Sequence, residues 1–95
     1  MELINDGEKK HYEFHIGEHV PRVEYMAVGG KMFLNHTEIP RELEGQGIGS
    51  QLIKAVLEDV EKKGLILMPM CPFVAGYIQR HPEWKKLVHK GINIG

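Results

Sequence analysis

The stretch Leu43-Glu44-Gly45-Gln46-Gly47-Ile48-Gly49-Ser50-Gln51-Leu52 decides how this chain is read. Alternating glycines stand directly before a segment with helical periodicity. Such a turn can direct backbone N–H groups at an anion, with the N-terminus of a helix behind them. Glycine suits it because it accepts positive φ and lets a ligand approach the main chain. A phosphate or pyrophosphate is the ligand class that fits this chemistry. The plainer alternative is a glycine-rich entry into a helix.

Beyond the loop, Leu52, Ile53, Val56, Leu57 and Val60 recur at helical spacing, with Lys54, Glu58, Glu61 and Lys62 mostly on the opposite side. No proline interrupts residues 47–63, and Gly64 is a suitable stop, so a helix is predicted there. Leu65-Ile66-Leu67-Met68 reads as a strand buried on both faces. Pro72 then opens a second helix, with Cys71 as N-cap, Phe73, Tyr77 and Ile78 inward, and an end near His81-Pro82. In the tail, Trp84, Leu87 and Val88 can dock as a helical turn or a short strand, Trp84 serving as an anchor.

On the N-terminal side the period is two. Tyr12, Phe14 and Ile16 alternate with His11, Glu13 and His15 until Gly17, and Val23, Tyr25 and Ala27 alternate up to a hairpin turn at Gly29-Gly30. The pattern resumes with Met32, Leu34 and His36 on one face and Phe33 and Asn35 on the other. Leu3-Ile4 can supply a short first strand. The order is strands, helix, strand, helix, which predicts an α+β layer, antiparallel hairpins first and a strand–helix–strand crossover later.

Composition sets the bounds. The 95 residues predict one domain spanning 1–95, with 42% hydrophobic and 26% charged residues and a formal charge of −1. That balance gives no electrostatic case for nucleic acid or a membrane surface, and Lys62-Lys63 and Lys85-Lys86 read as solvated faces. No apolar run approaches the roughly 20 residues that cross a bilayer. The N-terminus lacks the pattern of a signal peptide, and one cysteine cannot form an internal disulfide, so a cytoplasmic setting is expected. His11, His15 and His19 recur every four residues, which on a helix would form a metal face. Their segment alternates as a strand and breaks at Gly17, so no metal is expected.

Two familiar phosphate loops are excluded. No lysine follows Gly49 as a P-loop requires, and the glycine spacing is G-x-G-x-G, not the G-x-G-x-x-G of a dinucleotide fold with its later acid. No G-x-S-x-G nucleophile context is present either.

The segment Glu44-Gly45-Gln46-Gly47-Ile48-Gly49 instead resembles the [RQ]-x-x-G-x-[GA] signature of the GNAT superfamily of acyl-CoA-dependent N-acetyltransferases. His36-Thr37 before the loop, Cys71 after the next strand, and Tyr77-Ile78 before His81-Pro82-Glu83-Trp84 make the chain similar to its compact subfamily of about a hundred residues. The likeness runs over residues 32–87. It implies a compact GNAT-like fold, a mostly antiparallel sheet with two principal helices. It also implies acetyl-CoA as acyl donor, an amine as acceptor (a protein side chain or terminus among the options), and no metal. In the superfamily the loop amides hold the pyrophosphate, which assigns Gly45, Gln46, Gly47, Ile48, Gly49 and Ser50 to the coenzyme. The preceding strand splays from its neighbour and pairs with pantetheine, which assigns Thr37, Glu38 and Ile39. Glu44 departs from the signature, since an acid beside a pyrophosphate is unfavourable unless its side chain turns away. The superfamily's late tyrosine maps onto Tyr77, with Ile78 there instead if the register slips by one.

Acyl transfer to an amine needs a neutral amine and a route for the leaving thiolate's proton. Cys71 at a helix N-terminus would have a stabilised thiolate and could act as nucleophile, a role the compact subfamily also implies. A lone cysteine is otherwise a small buried hydrophobe. Glu38 and His36 are candidate proton acceptors at the strand end, against plain readings as a solvated acid and a structural histidine. Tyr77 is a candidate proton donor, against a core tyrosine. The competing class is a non-catalytic coenzyme-binding or interaction module. Because the chain opens with strands, its acceptor side is expected to be open or completed by a partner chain, which leaves room for a homodimer.

Overall fold

The computed structural model describes residues 1–94. Five strands, β1 (Ile4–Asp6), β2 (His11–Glu13), β3 (Arg22–Val28), β4 (Lys31–Glu38) and β5 (Ile66–Pro69), form one sheet in sequential order. The first four pair antiparallel and β5 adds parallel to β4. Helix α1 (Ile48–Lys62) makes the crossover between β4 and β5, and α2 (Pro72–Arg80) follows β5. Short 3-10 turns occupy Arg41–Leu43 and Pro82–Leu87. This is the α+β layer that the pattern predicts and the mostly antiparallel sheet with two principal helices that the resemblance implies.

Local chemistry explains most of it. Gly29 and Gly30 have φ of 58° and 76° between Val28 and its partner Lys31, the two positive values that a tight two-residue hairpin turn needs. Helix α1 buries Leu52, Ile53, Val56, Leu57 and Val60 completely, the predicted stripe, and adds Ile48. Gly64, at φ 68°, ends it. These side chains join Tyr12, Val23, Met32, Leu34 and Leu67 from the sheet and Val74, Tyr77 and Ile78 from α2 in one core. The Tyr12 hydroxyl donates to Asp59 Oδ2 at 2.6 Å and Asp59 pairs with Lys63 at 2.7 Å, tying β2 to the helix.

Four expectations are corrected. Strand β2 stops at Glu13, because the chain turns back at Gly17 and Ile16 bridges His19. Strand β5 is buried on one face only: Leu67 is fully buried, whereas Ile66 is 44% exposed. Both helices pack on the inner face, so the apolar run at residues 65–68 reflects an uncovered outer side that Met26 and Val28 share. Phe73 is not an inward residue of α2; Val74 takes that place.

The fourth correction bears on the site. Leu34 pairs with Tyr25 but His36 pairs with Glu24, leaving Asn35 as an extra residue on β4. This bulge reverses the alternation. Thr37, opposite the buried Val23, now shares the inner face with Leu34, and His36 moves to the exposed outer face. The tail does both things expected of it, a 3-10 turn and then a single parallel bridge from Val88 to Leu67. Among the described residues no helix is long and apolar enough to cross a membrane.

Leu57→Ala, in the buried stripe, should cost about 3 kcal/mol in urea unfolding, while Glu58→Ala on the exposed side should stay within about 0.5 kcal/mol. Equal losses at the two positions would contradict the placement of α1.

Candidate functional site

Strands β4 and β5 stay paired only to Leu34 and Pro69. The Leu34 carbonyl then accepts N–H bonds from both Met70 (3.1 Å) and Cys71 (3.0 Å), which turns the chain away into α2. Strand β4 continues through residues 35–38 with no strand paired on that side among the described residues. The opening between the strands leads into a cleft of about 480 Å³ lined by Thr37, Glu38, Ile39, the glycine loop and Phe73. Its size suits a small-molecule site.

The loop forms one wall. Gly45 and Gly47 have φ of 79° and 76°, left-handed values that other residues rarely adopt. Gln51 N–H, bonded to Gly47 O at 3.1 Å, is the first amide of α1 with a main-chain partner. Among the described residues, the amides of residues 45–50 find no carbonyl within the chain. Those of residues 47–50 are the free donors of a helix start, where the aligned peptide dipoles place about half a positive charge, and those of 45 and 46 precede it in the loop. Gln46 braces the loop through its side-chain amide, which donates to Glu42 O at 3.1 Å. The donor set fits a diphosphate: several N–H groups and, among the described residues, no lysine or arginine on the cleft wall. Glu44 also lines the cleft and disfavours an anion there.

Cys71, 5% exposed, precedes the first turn of α2 as its N-cap. Burial raises its thiol, but the Thr37 hydroxyl and the amides of Val74, Phe73 and Thr37 outweigh that and hold it below the ordinary thiol range. The Sγ lies 3.4 Å from Thr37 Oγ1, a contact that exists because the bulge turns Thr37 inward.

The other candidates are spread apart. His36 and Glu38 form their own pair on the outer side of β4 (Nε2 to Oε1, 3.0 Å). That hydrogen bond holds the Glu38 carboxyl below the usual carboxylate range, which makes it a weaker base. Glu38 still reaches the cleft rim. Tyr77 is buried, with its ring centroid 4.3 Å from that of His81. Burial, then the charges of Glu83 and Glu58, push its hydroxyl pKa up. It does not line the cleft. His11, His15 and His19 each face a carboxylate, Glu24, Glu13 and Glu42 respectively. Sequence reasoning missed Phe73, whose helical spacing looks like core; the signal was its place beside the N-cap cysteine, at the helix start facing the loop.

The Cys71 environment predicts a thiolate that forms at lower pH than a free cysteine, because the folded-state pKa is lowered. Thiolate absorbance near 240 nm, followed against pH, should show a midpoint that moves up in Thr37→Val and is retained in Thr37→Ser. A midpoint insensitive to Thr37→Val would remove the hydroxyl from this role.

Comparison with known proteins identifies the family. The profile of the GCN5-related N-acetyl-transferase family matches residues 11–87. A stretch of 66 residues, 68% of this chain, is 33% identical to Protein NATD1 of Gallus gallus and spans 60% of that protein's length. The solution structure of a GCN5-like protein from Staphylococcus aureus superposes with a TM-score of 0.71 at 22% identity, covering 93% of this chain and 87% of the other. That likeness concerns the fold, and the profile match over residues 11–87 carries the assignment: the chain belongs to the GCN5-related N-acetyltransferase family.

Proposed function

We propose that this protein is an acyl-CoA-dependent N-acetyltransferase that takes acetyl-CoA as donor and passes its acetyl group to an amine. The observation that carries the proposal is the set of unpaired amides over residues 45–50, at the mouth of the opening between β4 and β5. The coenzyme supplies an activated acyl group as a thioester. Amides of Gly45, Gln46, Gly47, Ile48, Gly49 and Ser50 hold its diphosphate, each by a charge-assisted hydrogen bond. The free edge of β4 at Thr37 and Ile39 pairs with the amides of the pantetheine arm, as a sheet edge pairs with an added strand.

The acyl end then points toward Cys71 and Glu38. Cys71, with its lowered pKa, is the nucleophile in a two-step route. Its sulfur forms a bond to the acyl carbonyl carbon as the bond to the departing sulfur breaks and the electron pair leaves on that sulfur. A neutral amine then displaces Cys71 and loses a proton. Glu38, at the rim, accepts it directly or through water once its bond to His36 yields. Tyr77, whose pKa is raised, keeps its proton and is a donor for the leaving thiolate only if a movement brings it to the cleft.

One observation favours a second reading, a coenzyme-binding module without transfer. Cys71 and Tyr77 are buried, and neither belongs to the cleft wall.

Intact-mass measurement after incubation with acetyl-CoA separates the two. Transfer through the thiol predicts a gain of one acetyl group that disappears in Cys71→Ala while coenzyme binding persists. Binding with no gain and no turnover supports the module. Turnover undiminished in Cys71→Ala means direct transfer and takes Cys71 out of the mechanism.

A further inference from the structure

We infer that Phe73 is a positioning residue for the coenzyme, holding the glycine loop and the start of α2 at Cys71 at a fixed spacing; this rests on the reading of the cleft as a coenzyme site. The glycines of the loop are not equivalent. Gly45 and Gly47 are required by their positive φ, and a Cβ at either would meet nothing within 4 Å. Gly49 is the reverse case. It lies inside α1 with no positive φ, so its backbone would accept alanine. What meets a side chain there is the Phe73 ring, which would have to move: a Cβ on Gly49 would lie 2.6 Å from Cζ and 3.2 Å from Cε1.

The two partners occupy matching places, each the second residue of its helix. Their contact therefore locks one helix start against the other. On the α1 side the unpaired amides surround the loop, and on the α2 side the Phe73 and Val74 amides turn toward the Cys71 sulfur. Phe73 thus serves the thiol with its main chain and the loop with its ring. Phe73 is 40% exposed and forms part of the cleft wall, so a ligand that reaches from loop to thiol passes along it. Because Phe73 lines the cleft, a ring displaced from Gly49 changes the wall along which the ligand lies.

The test is a double-mutant cycle read by isothermal titration with acetyl-CoA, with circular dichroism to establish that each variant is folded. Gly49→Ala should weaken binding about tenfold, and Phe73→Ala about threefold. The double variant should bind as Phe73→Ala does, because the obstructed ring is gone. In the free protein, Gly49→Ala should also shift the Phe73 ring-proton resonances. Additive losses, or unmoved ring resonances, would overturn the role of Phe73 while leaving the coenzyme site in place. Failure of the unmodified protein to bind acetyl-CoA would instead overturn the reading of the cleft itself.

Discussion

The site depends on where β4 and β5 part. A parallel ladder that continued past Leu34 would pair the edge of β4 and leave no cleft. Instead the Leu34 carbonyl accepts both Met70 and Cys71 N–H groups, and β5 ends one residue before Met70. The bulge at Asn35 acts on the other side of the same strand, through β3. Together they free a strand edge and rotate Thr37 toward Cys71. Neither Leu34 nor Asn35 is a candidate for chemistry, yet each sets where Cys71 and Thr37 stand.

The cleft is held by main-chain electrostatics. Two helices begin there, and the amides that a helix start leaves unpaired are aimed at two points, the loop and the Cys71 sulfur. Main-chain donors are fixed by the fold, so gripping an anion with them costs little ordering of side chains, in contrast to long lysine or arginine arms. The counterpart is sensitivity to spacing. The loop and the Cys71 sulfur keep their spacing only while the two helices hold their distance, and the buried stripe of α1 together with Val74 and Ile78 of α2 enforces it.

Much of this was legible in the sequence because its signals are local. The period of Leu52, Ile53, Val56, Leu57 and Val60 marks α1, the pair Gly29-Gly30 marks the hairpin, and Cys71-Pro72 marks the start of α2. The loop at residues 45–50 was visible from its glycines and its place before a helix. What escaped is tertiary. Strict alternation put His36 on the face of Leu34, but a bulge is a property of two strands, and nothing in residues 31–38 alone announces it. The run at residues 65–68 looked buried on both sides because apolar character does not say whether a second layer of helices covers the sheet. Phe73 has the spacing of a core residue, and only the placement of Gly49 against its ring shows a different use. The carboxylates opposite His11 and His19 come from strand register and from the turn at Glu42, so they too were invisible to a reading along the chain, whereas Glu13 stands only two residues before His15.

The central claim is that free backbone amides of the loop grip a diphosphate, and amide chemical shifts report on it most directly. In a titration of the ¹⁵N-labelled protein with coenzyme A, resonances of residues 46–50 should move first and furthest, and that of Thr37 should follow as the free strand edge is paired. Saturable binding that leaves residues 46–50 in place and perturbs another surface would contradict it.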